Sequence, residues 1–149
     1  MTEVHFYHLD TMPLDRVLPT LLEKVLERGW RAVVHTASAE RTEALAAALW
    51  TYREESFLPH GTPRDGHAAH QPVWLTEAGD EPNSPAVRVL VDGLPVGETG
   101  ALERVIYVFD GRSEEELAQA RAQWREARAR GLDVVYWQQD QNGRWNRKQ

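Results

Sequence analysis

Three arginines near the end of the chain have the spacing that most clearly suggests chemistry. Arg121, Arg125 and Arg128 stand at positions i, i+4 and i+7, which places their side chains on one face of a helix. A guanidinium group presents several N–H donors in one plane and captures carboxylates in a bidentate manner. Three such groups side by side repel one another unless an anion lies among them. This arginine stripe therefore indicates a binding site for an acidic ligand.

Two tryptophans could supply an aromatic wall for such a site. Trp124 shares a narrow apolar helix face with Leu117, Ala120 and Ala127, which favours a place in the core. Trp50 stands at the end of the second predicted helix. Its position fits either the core or an exposed aromatic beside the arginine stripe, and the sequence leaves both open.

A histidine-rich segment has the residue types of a metal site but lacks its spacing. His60, His67 and His70 lie with Asp65 in a stretch that also contains Gly61, Pro63 and Gly66. Ligands on such a loop are not held by a strand or helix, and the spacing matches no known zinc pattern. We therefore predict that these residues bind no metal.

The residue types required by common enzymes are missing or misplaced. The chain has no cysteine, and no serine lies in a Gly-x-Ser-x-Gly turn. The turn after the first predicted strand, residues 10–13, contains no glycine, although a dinucleotide fold needs glycines there to approach the pyrophosphate. We expect no catalytic residues and no cofactor.

Charge is unevenly distributed along the chain. The net charge is −6, but residues 121–149 carry seven positive and three negative side chains, whereas residues 1–120 carry ten and twenty. A basic C-terminal segment of net +4 beside a body of net −10 indicates a compact anionic partner rather than a long phosphate backbone.

The apolar content predicts one globular domain over residues 1–149. Hydrophobic residues make up 42% of the 149 residues, which is enough for one core. The first residues lack the basic and apolar regions of a secretory signal, and no apolar run is long enough to span a membrane. We expect a soluble, cytoplasmic protein.

Hydrophobic periodicity predicts alternating strands and helices. Apolar runs predict strands at 3–9, 31–36, 73–76, 86–91, 104–109 and 132–138. Helical spacing predicts helices from Leu14 to Leu26, with the helix proper beginning near Pro19, from Ser38 to Trp50, and from Ser113 to Arg130. The β-α-β opening predicts that the first two strands form a parallel pair.

Asn142-Gly143 is typical of a type I′ turn, so the chain from about 137 to 149 is predicted to fold back as a hairpin extension. The fold class predicted from all these elements is α/β. We expect one Rossmann-like domain with an open, mostly parallel sheet, helices on both faces and no nucleotide-binding glycine loop.

Several segments of the chain resemble the DNA polymerase III chi subunit family. Ala48-Leu49-Trp50 followed by Glu55-Ser56-Phe57-Leu58-Pro59-His60 is similar to the signature segment of that family. The opening Phe-Tyr-His-Leu strand, the Val-Ile-Tyr-Val-Phe-Asp strand and the C-terminal helix before Gly131 occur in the order that the family shows.

The resemblance implies a non-catalytic adaptor. Members bind the acidic C-terminal tail of single-stranded DNA-binding protein, and on another surface they bind the psi subunit, which links them to the clamp-loader complex. That tail ends in a hydrophobic residue with a free carboxylate, preceded by aspartates. Trp50, Arg121 and Arg125 match the tail-binding positions, and Arg128 continues the stripe. Leu117 stands where some members carry another basic residue, and residues 137–149 depart from the best-known members.

Two other functions remain open from the sequence. One is an enzyme that uses the histidine-rich segment. The other is direct binding of single-stranded DNA, with the arginine stripe holding phosphates and Trp50 stacking on a base. Because the acidic residues 1–120 should repel DNA, we rank direct DNA binding below the adaptor function. Any contact with DNA is therefore expected to be indirect.

Overall fold

The computed structural model describes residues 2–51 and 59–148. In these ranges the chain forms seven strands and three α-helices, and a short 3-10 helix, Ala68–His70, precedes β3. The elements are β1 Glu3–Leu9, α1 Leu14–Glu27, β2 Ala32–His35, α2 Ala39–Thr51, β3 Val73–Thr76, β4 Val87–Leu90, β5 Arg104–Asp110, α3 Glu114–Ala129, β6 Asp133–Gln139 and β7 Trp145–Arg147.

The strands form one sheet in the order β3-β2-β4-β5-β1-β6-β7. Neighbouring strands are parallel except for the pair β6 and β7, which is antiparallel. The inner strands are apolar runs because a parallel sheet is covered on both faces, and β5 is buried from Val105 to Phe109. The prediction of an open, mostly parallel α/β sheet is confirmed.

Side chains alternate between the two faces of the sheet and divide the core into two layers. Tyr7 of β1 and Ile106 of β5 pack with residues of α1 and α2, such as Leu22 and Leu49. The intervening strand residues pack with α3 in the second layer, whose members include Phe6, Tyr107, Phe109, Ala120 and Ala127. The side chains that α2 and α3 bury therefore lie on opposite faces of the sheet.

Two details of the first half of the chain differ from the prediction. β1 and β2 are not a pair, because β4 and β5 lie between them. Pro19 lies inside α1 rather than at its start. A helix-interior proline costs about 3 kcal/mol, but Val17 and Leu18 are buried, and each contributes about 1.5–3 kcal/mol. Burial of this first turn thus outweighs the cost of the proline.

The predicted hairpin is present, but its turn is not type I′. That turn needs a positive φ at both central residues, and of the two only Gly143 has one, at 77°. Asp140 explains the difference, because its carboxylate accepts hydrogen bonds from the backbone N–H groups of Asn142 and Arg144, at 2.8 and 2.9 Å. The Asp140 side chain thus stabilises a turn through its own hydrogen bonds to the backbone, in place of a type I′ turn.

A half-buried ion-pair network ties β4 to the preceding loop. Arg88 donates to both carboxylate oxygens of Glu81, at 2.7 and 2.9 Å, and His35 lies 2.8 Å from the same carboxylate. Burial alone would raise the pKa of Glu81, but the hydrogen bonds from Arg88 and His35 outweigh it and lower the pKa to about 2. The pKa of Glu81 in the native state is therefore lower than its ordinary value of 4.5. Ionised Glu81 stabilises the native state fully above about pH 4.5, and this stabilisation is lost as the pH falls towards 2.

We expect the wild type to lose about 1–3 kcal/mol of unfolding free energy through Glu81 as the pH falls from 4.5 towards 2. Glu81→Gln should be less stable at neutral pH and should lose less on acidification. Urea unfolding at stepped pH measures both effects. Glu98→Gln, which changes an exposed carboxylate, is the matched control. Its unfolding free energy should depend on pH as that of the wild type does. An unaltered acid dependence in Glu81→Gln would contradict this account.

Candidate anion-binding groove

The helix that carries the arginine stripe is fixed at its start and along its buried face. The Ser113 hydroxyl accepts a hydrogen bond from the backbone N–H of Glu116 at 3.2 Å, which caps α3. Acidic residues in the first turn, Glu114 to Glu116, complement the positive end of the helix dipole. Ala120 and Ala127 are buried against the sheet. Small residues on this face bring α3 close to the sheet and leave the arginines exposed.

A groove of about 700 Å³ lies between α3 and the carboxyl-terminal halves of β1 and β6. Its lining combines apolar, aromatic and cationic side chains: His8, Phe109, Leu117, Ala120, Arg121, Trp124, Arg125, Tyr136, Gln138 and Lys148. The structure therefore brings two of the predicted arginines into one concave site.

The cations of the groove have no acidic partner among the described residues. In residues 2–51 and 59–148, no carboxylate lies within 4.0 Å of the charged groups of Arg121, Arg125 or Lys148. All three side chains are exposed. Arg128 continues the stripe, and its guanidinium lies 6.0 Å from the centre of the Trp124 ring. The site thus presents guanidinium and ammonium groups that are free to receive an external anion.

Aromatic rings form the apolar part of the groove. Trp124 is half-buried and packs edge-on against Phe6 and Tyr136, with ring centres 5.3 and 5.4 Å apart. Trp124 was predicted to be a core residue, and it has that contact, but its remaining surface also lines the groove. A ligand with one apolar side chain can therefore bury it beside the cations.

Polar side chains hold the floor of the groove in place. The hydroxyl of Tyr136 lies 2.6 Å from Nδ1 of His8, and Nε2 of His8 lies 3.3 Å from the Asp10 carboxylate. Burial and the Asp10 charge raise the pKa of Tyr136, and the Arg121 charge opposes them. A Cβ at position 111 would collide with the His8 imidazole, so only glycine fits beside the ring. This packing fixes the shape of the floor before any ligand arrives.

Trp50 is placed away from the groove. It ends α2, whose buried side chains lie on the other face of the sheet from α3. Its ring is 54% exposed and lies 4.8 Å from the ring of His60. Within the described ranges, Trp50 is not among the lining residues of the groove. The structure joins Arg121 and Arg125 but does not bring Trp50 to them.

The histidine-rich segment is spread over different environments. His60 is buried, whereas His67 and His70 are exposed. The Asp65 carboxylate accepts hydrogen bonds from the backbone N–H and the hydroxyl of Thr62, at 3.0 and 3.2 Å. Among the described residues, no three acidic, histidine or cysteine side chains are grouped as metal ligands would be.

The end of the sheet where a Rossmann-type ligand would bind holds ion pairs within the protein. Arg41 pairs with Asp92 at 2.9 Å, and Arg112 pairs with Asp110 at 3.1 Å. Both pairs line the cleft at the carboxyl ends of the central strands. With no glycine in residues 10–13, this cleft lacks the close backbone approach that a pyrophosphate needs.

Sequence reasoning missed Tyr136, Gln138, His8 and Lys148 as groove residues. Lys148 reaches the groove because β7 pairs with β6, and its backbone N–H donates to the carbonyl of Tyr136 at 2.8 Å. The Asn142-Gly143 hairpin signal could have indicated this approach. Strand alternation could have placed His8 on the α3 face, but only the pairing register brings it beside Tyr136.

These features define a Rossmann-like α/β domain whose candidate site is a basic, aromatic-lined groove rather than a nucleotide cleft. A family model described as DNA polymerase III chi subunit, HolC matches residues 1–135. The chain therefore belongs to the DNA polymerase III chi subunit family. The chi subunit is an accessory subunit of the replication machinery. Residues 55–58 of the family-like segment lie outside the described residues. β7 and Lys148 lie beyond the residues matched by the family model.

Two relatives carry the same description. "Probable DNA polymerase III subunit chi" of Rickettsia prowazekii is 28% identical over 109 residues, which cover 73% of this chain and 66% of that protein. DNA polymerase III subunit chi of Pseudomonas aeruginosa is 32% identical over 78 residues, which cover 50% of this chain and 54% of that protein. The matched region thus spans somewhat more than half of each relative's own length.

None of the helices described is long and apolar enough to cross a membrane.

Proposed function

We propose that this protein is an adaptor that binds the acidic C-terminal tail of single-stranded DNA-binding protein in the groove beside α3. The observation that carries this proposal is the pair Arg121 and Arg125, which are exposed, have no carboxylate partner in the part of the chain that the structure describes, and lie beside a partly apolar pocket. Membership of an accessory replication family supports it.

The chemistry of such a tail fits the groove at both ends. A terminal carboxylate accepts charge-assisted hydrogen bonds from guanidinium groups, which are stronger than bonds between neutral groups. The terminal hydrophobic side chain can pack against Trp124 and Phe109, while preceding aspartates face Lys148 and Arg128. In this arrangement Trp124 provides the aromatic wall that the family resemblance assigned to Trp50.

The test is a fluorescence titration with a peptide of the tail and with the same peptide lacking its last residue. We expect the truncated peptide to bind about tenfold more weakly or worse, because it loses one buried apolar side chain and repositions the carboxylate. Binding should also weaken with added salt, because the contacts are between exposed charges. Equal affinity for the two peptides would show that the pocket does not hold the terminal residue.

We propose further that Trp50 belongs to the surface that contacts psi and, through it, the clamp loader. Trp50 is the large apolar side chain that the described part of the chain leaves most exposed. Exposed tryptophans are enriched at the centres of protein interfaces. Because α2 and α3 bury side chains on opposite faces of the sheet, the tail and psi could be bound at the same time.

Trp50→Ala should therefore weaken binding of a psi partner by about tenfold or more, as tryptophan hot spots do, and leave the tail peptide affinity unchanged. Pull-down with psi and titration with the tail peptide measure the two effects on one sample. Glu40→Ala changes another exposed side chain of α2 and controls for a general effect of substitution on that helix. If Trp50→Ala folds normally but no longer binds the tail peptide, Trp50 belongs to the tail-binding site and the psi assignment is wrong.

A further inference from the structure

A second concave surface lies on the sheet face opposite the groove, between α1, Tyr7 of β1 and the first half of β5. Its volume is about 510 Å³. Tyr7 and Ile106 form its floor, Trp30 forms one wall, and the cations Lys24, Arg28 and Arg104 surround it. We call it the α1 cleft. Neither the family description nor the proposed tail site involves these residues.

Three positive charges converge on this cleft although they belong to the acidic part of the sequence. Lys24 of α1 and Arg28, which caps the end of that helix, are exposed, and within the described residues neither has a carboxylate within 4.0 Å. Burial raises the pKa of Tyr7, and the nearby charges of Arg104 and Arg28 oppose it. The net charge of −10 over residues 1–120 thus conceals a local basic site.

The acidic residues of the cleft only partly balance these charges. Glu27 is exposed on its rim. Glu3 accepts a hydrogen bond from Arg104 at 3.0 Å, and its side chain is also engaged by His5 at 3.1 Å. One of the three cations is therefore paired, and the other two have no carboxylate partner in the described ranges.

Both arginines of the cleft lie against the same aromatic ring. The guanidinium carbons of Arg28 and Arg104 lie 5.0 and 5.5 Å from the centre of the Trp30 ring. An arginine stacked on an aromatic ring keeps its donors in the plane of the guanidinium, where a carboxylate can accept them. Because guanidinium groups already lie over Trp30, its ring is poorly placed to stack on a nucleic-acid base.

Arg104 also carries an unfulfilled hydrogen-bond donor. Its Nε–H is buried and has no acceptor among the described residues. A buried donor without an acceptor costs about 1–3 kcal/mol, so an anion reaching the floor of the cleft would relieve that cost. Arg104 lines the cleft together with the apolar side chain of Ile106 and with Tyr7.

We propose that the α1 cleft binds an acidic peptide segment of a partner protein in which a carboxylate side chain neighbours an apolar one. The carboxylate accepts from Arg104 and Arg28, and the apolar side chain covers Ile106 and Tyr7. Lys24 extends the positive rim to a second acidic side chain. This interaction is separate from the tail site, because the cleft and the groove lie on opposite faces of the sheet.

The experiment uses the full chain labelled with ¹⁵N and the peptide Asp-Asp-Leu-Asp-Phe-Asp, acetylated and amidated so that it has no free terminal carboxylate. The indole N–H signal of Trp30 reports on the α1 cleft, and that of Trp124 reports on the groove. Each signal is assigned by a Trp→Phe variant. We expect the Trp30 signal to shift with saturation as peptide is added, and to shift less at high salt.

Arg28→Glu and Lys24→Glu should each raise the dissociation constant measured from the Trp30 signal by about tenfold, since attraction becomes repulsion at an exposed site. Arg16→Glu is the matched control, because Arg16 is exposed on the same helix and does not line the cleft; it should stay within about twofold. These exposed substitutions leave the core intact, so they keep the test independent of folding.

Three results would overturn the proposal. The Trp30 signal could fail to move while that of Trp124 shifts, which would leave the tail site standing alone. It could shift equally in the wild type, Arg28→Glu and Lys24→Glu. It could also shift with protein concentration in the absence of peptide, which would assign the cleft to contact between copies of the chain. Failure of the tail site alone would leave the Trp30 result unaffected.

Discussion

Arg121→Ala should weaken binding of the tail peptide by about tenfold or more, because a hydrogen bond to a charged group contributes roughly 1.5–3 kcal/mol. Arg121 lines the groove, is exposed, and has no carboxylate partner among the described residues. Its removal therefore takes away a ligand contact without breaking an internal one. Arg125→Ala should act in the same direction, and the double variant should lower affinity further.

Arg130→Ala is the matched control for this prediction. Arg130 is also exposed, caps the end of the same helix, and does not line the groove. It should bind the peptide within about twofold of the wild type. Isothermal titration and circular dichroism on the same samples separate binding from folding. If Arg121→Ala folds normally and binds like the wild type, the arginine stripe is not the carboxylate site.

Recruitment of the protein to single-stranded DNA should require single-stranded DNA-binding protein, the coat protein of the strand, and the end of its acidic tail. Residues 1–120 carry a net charge of −10, which repels a phosphate chain, and the segment of net +4 is too small to neutralise many phosphates. Each phosphate neutralised on a single strand adds only about 0.7 to the salt slope. We therefore expect weak binding to a bare strand and strong recruitment to a coated one.

Anisotropy of a labelled oligonucleotide at physiological salt measures this directly, first bare and then coated. The matched control is coat protein that lacks its last few residues, which should abolish recruitment while the strand stays covered. Binding to the bare strand at about micromolar affinity or tighter, unaffected by Arg125→Ala, would contradict recruitment through the protein tail. It would favour a single-strand binding module that uses another surface.

Local elements could be predicted from the sequence because their signals are local. β1 and β3 have the predicted bounds, and Ser38 and Ser113 both begin their helices as caps, each accepting from a backbone N–H three residues on. Such signals depend on neighbours within one or two turns. The order of strands depends on contacts far apart in the sequence, and so the insertion of β4 and β5 between β1 and β2 was not predicted.

The candidate site was predicted in part for the same reason. Arg121 and Arg125 share a helix, so their spacing alone places them together. Trp50 lies on another helix, and no local pattern tells which face of the sheet that helix covers. Tyr136 and Lys148 enter the groove through the register of β1, β6 and β7, which a hairpin signal suggests but does not fix.

The position of β1 in the sheet has a consequence for how the chain is made. β1 lies between β5 and β6, and the Thr2 hydroxyl donates to the carbonyl of Leu102, 100 positions further along. β1 must therefore wait until β5, which begins at Arg104, has been synthesised before it finds either neighbour. Pairings so distant in sequence slow folding, and unpaired apolar strands aggregate. Val4 and Phe6, fully buried in the finished sheet, are thus apolar residues that the growing chain leaves exposed until then, and we expect a chaperone to shield them.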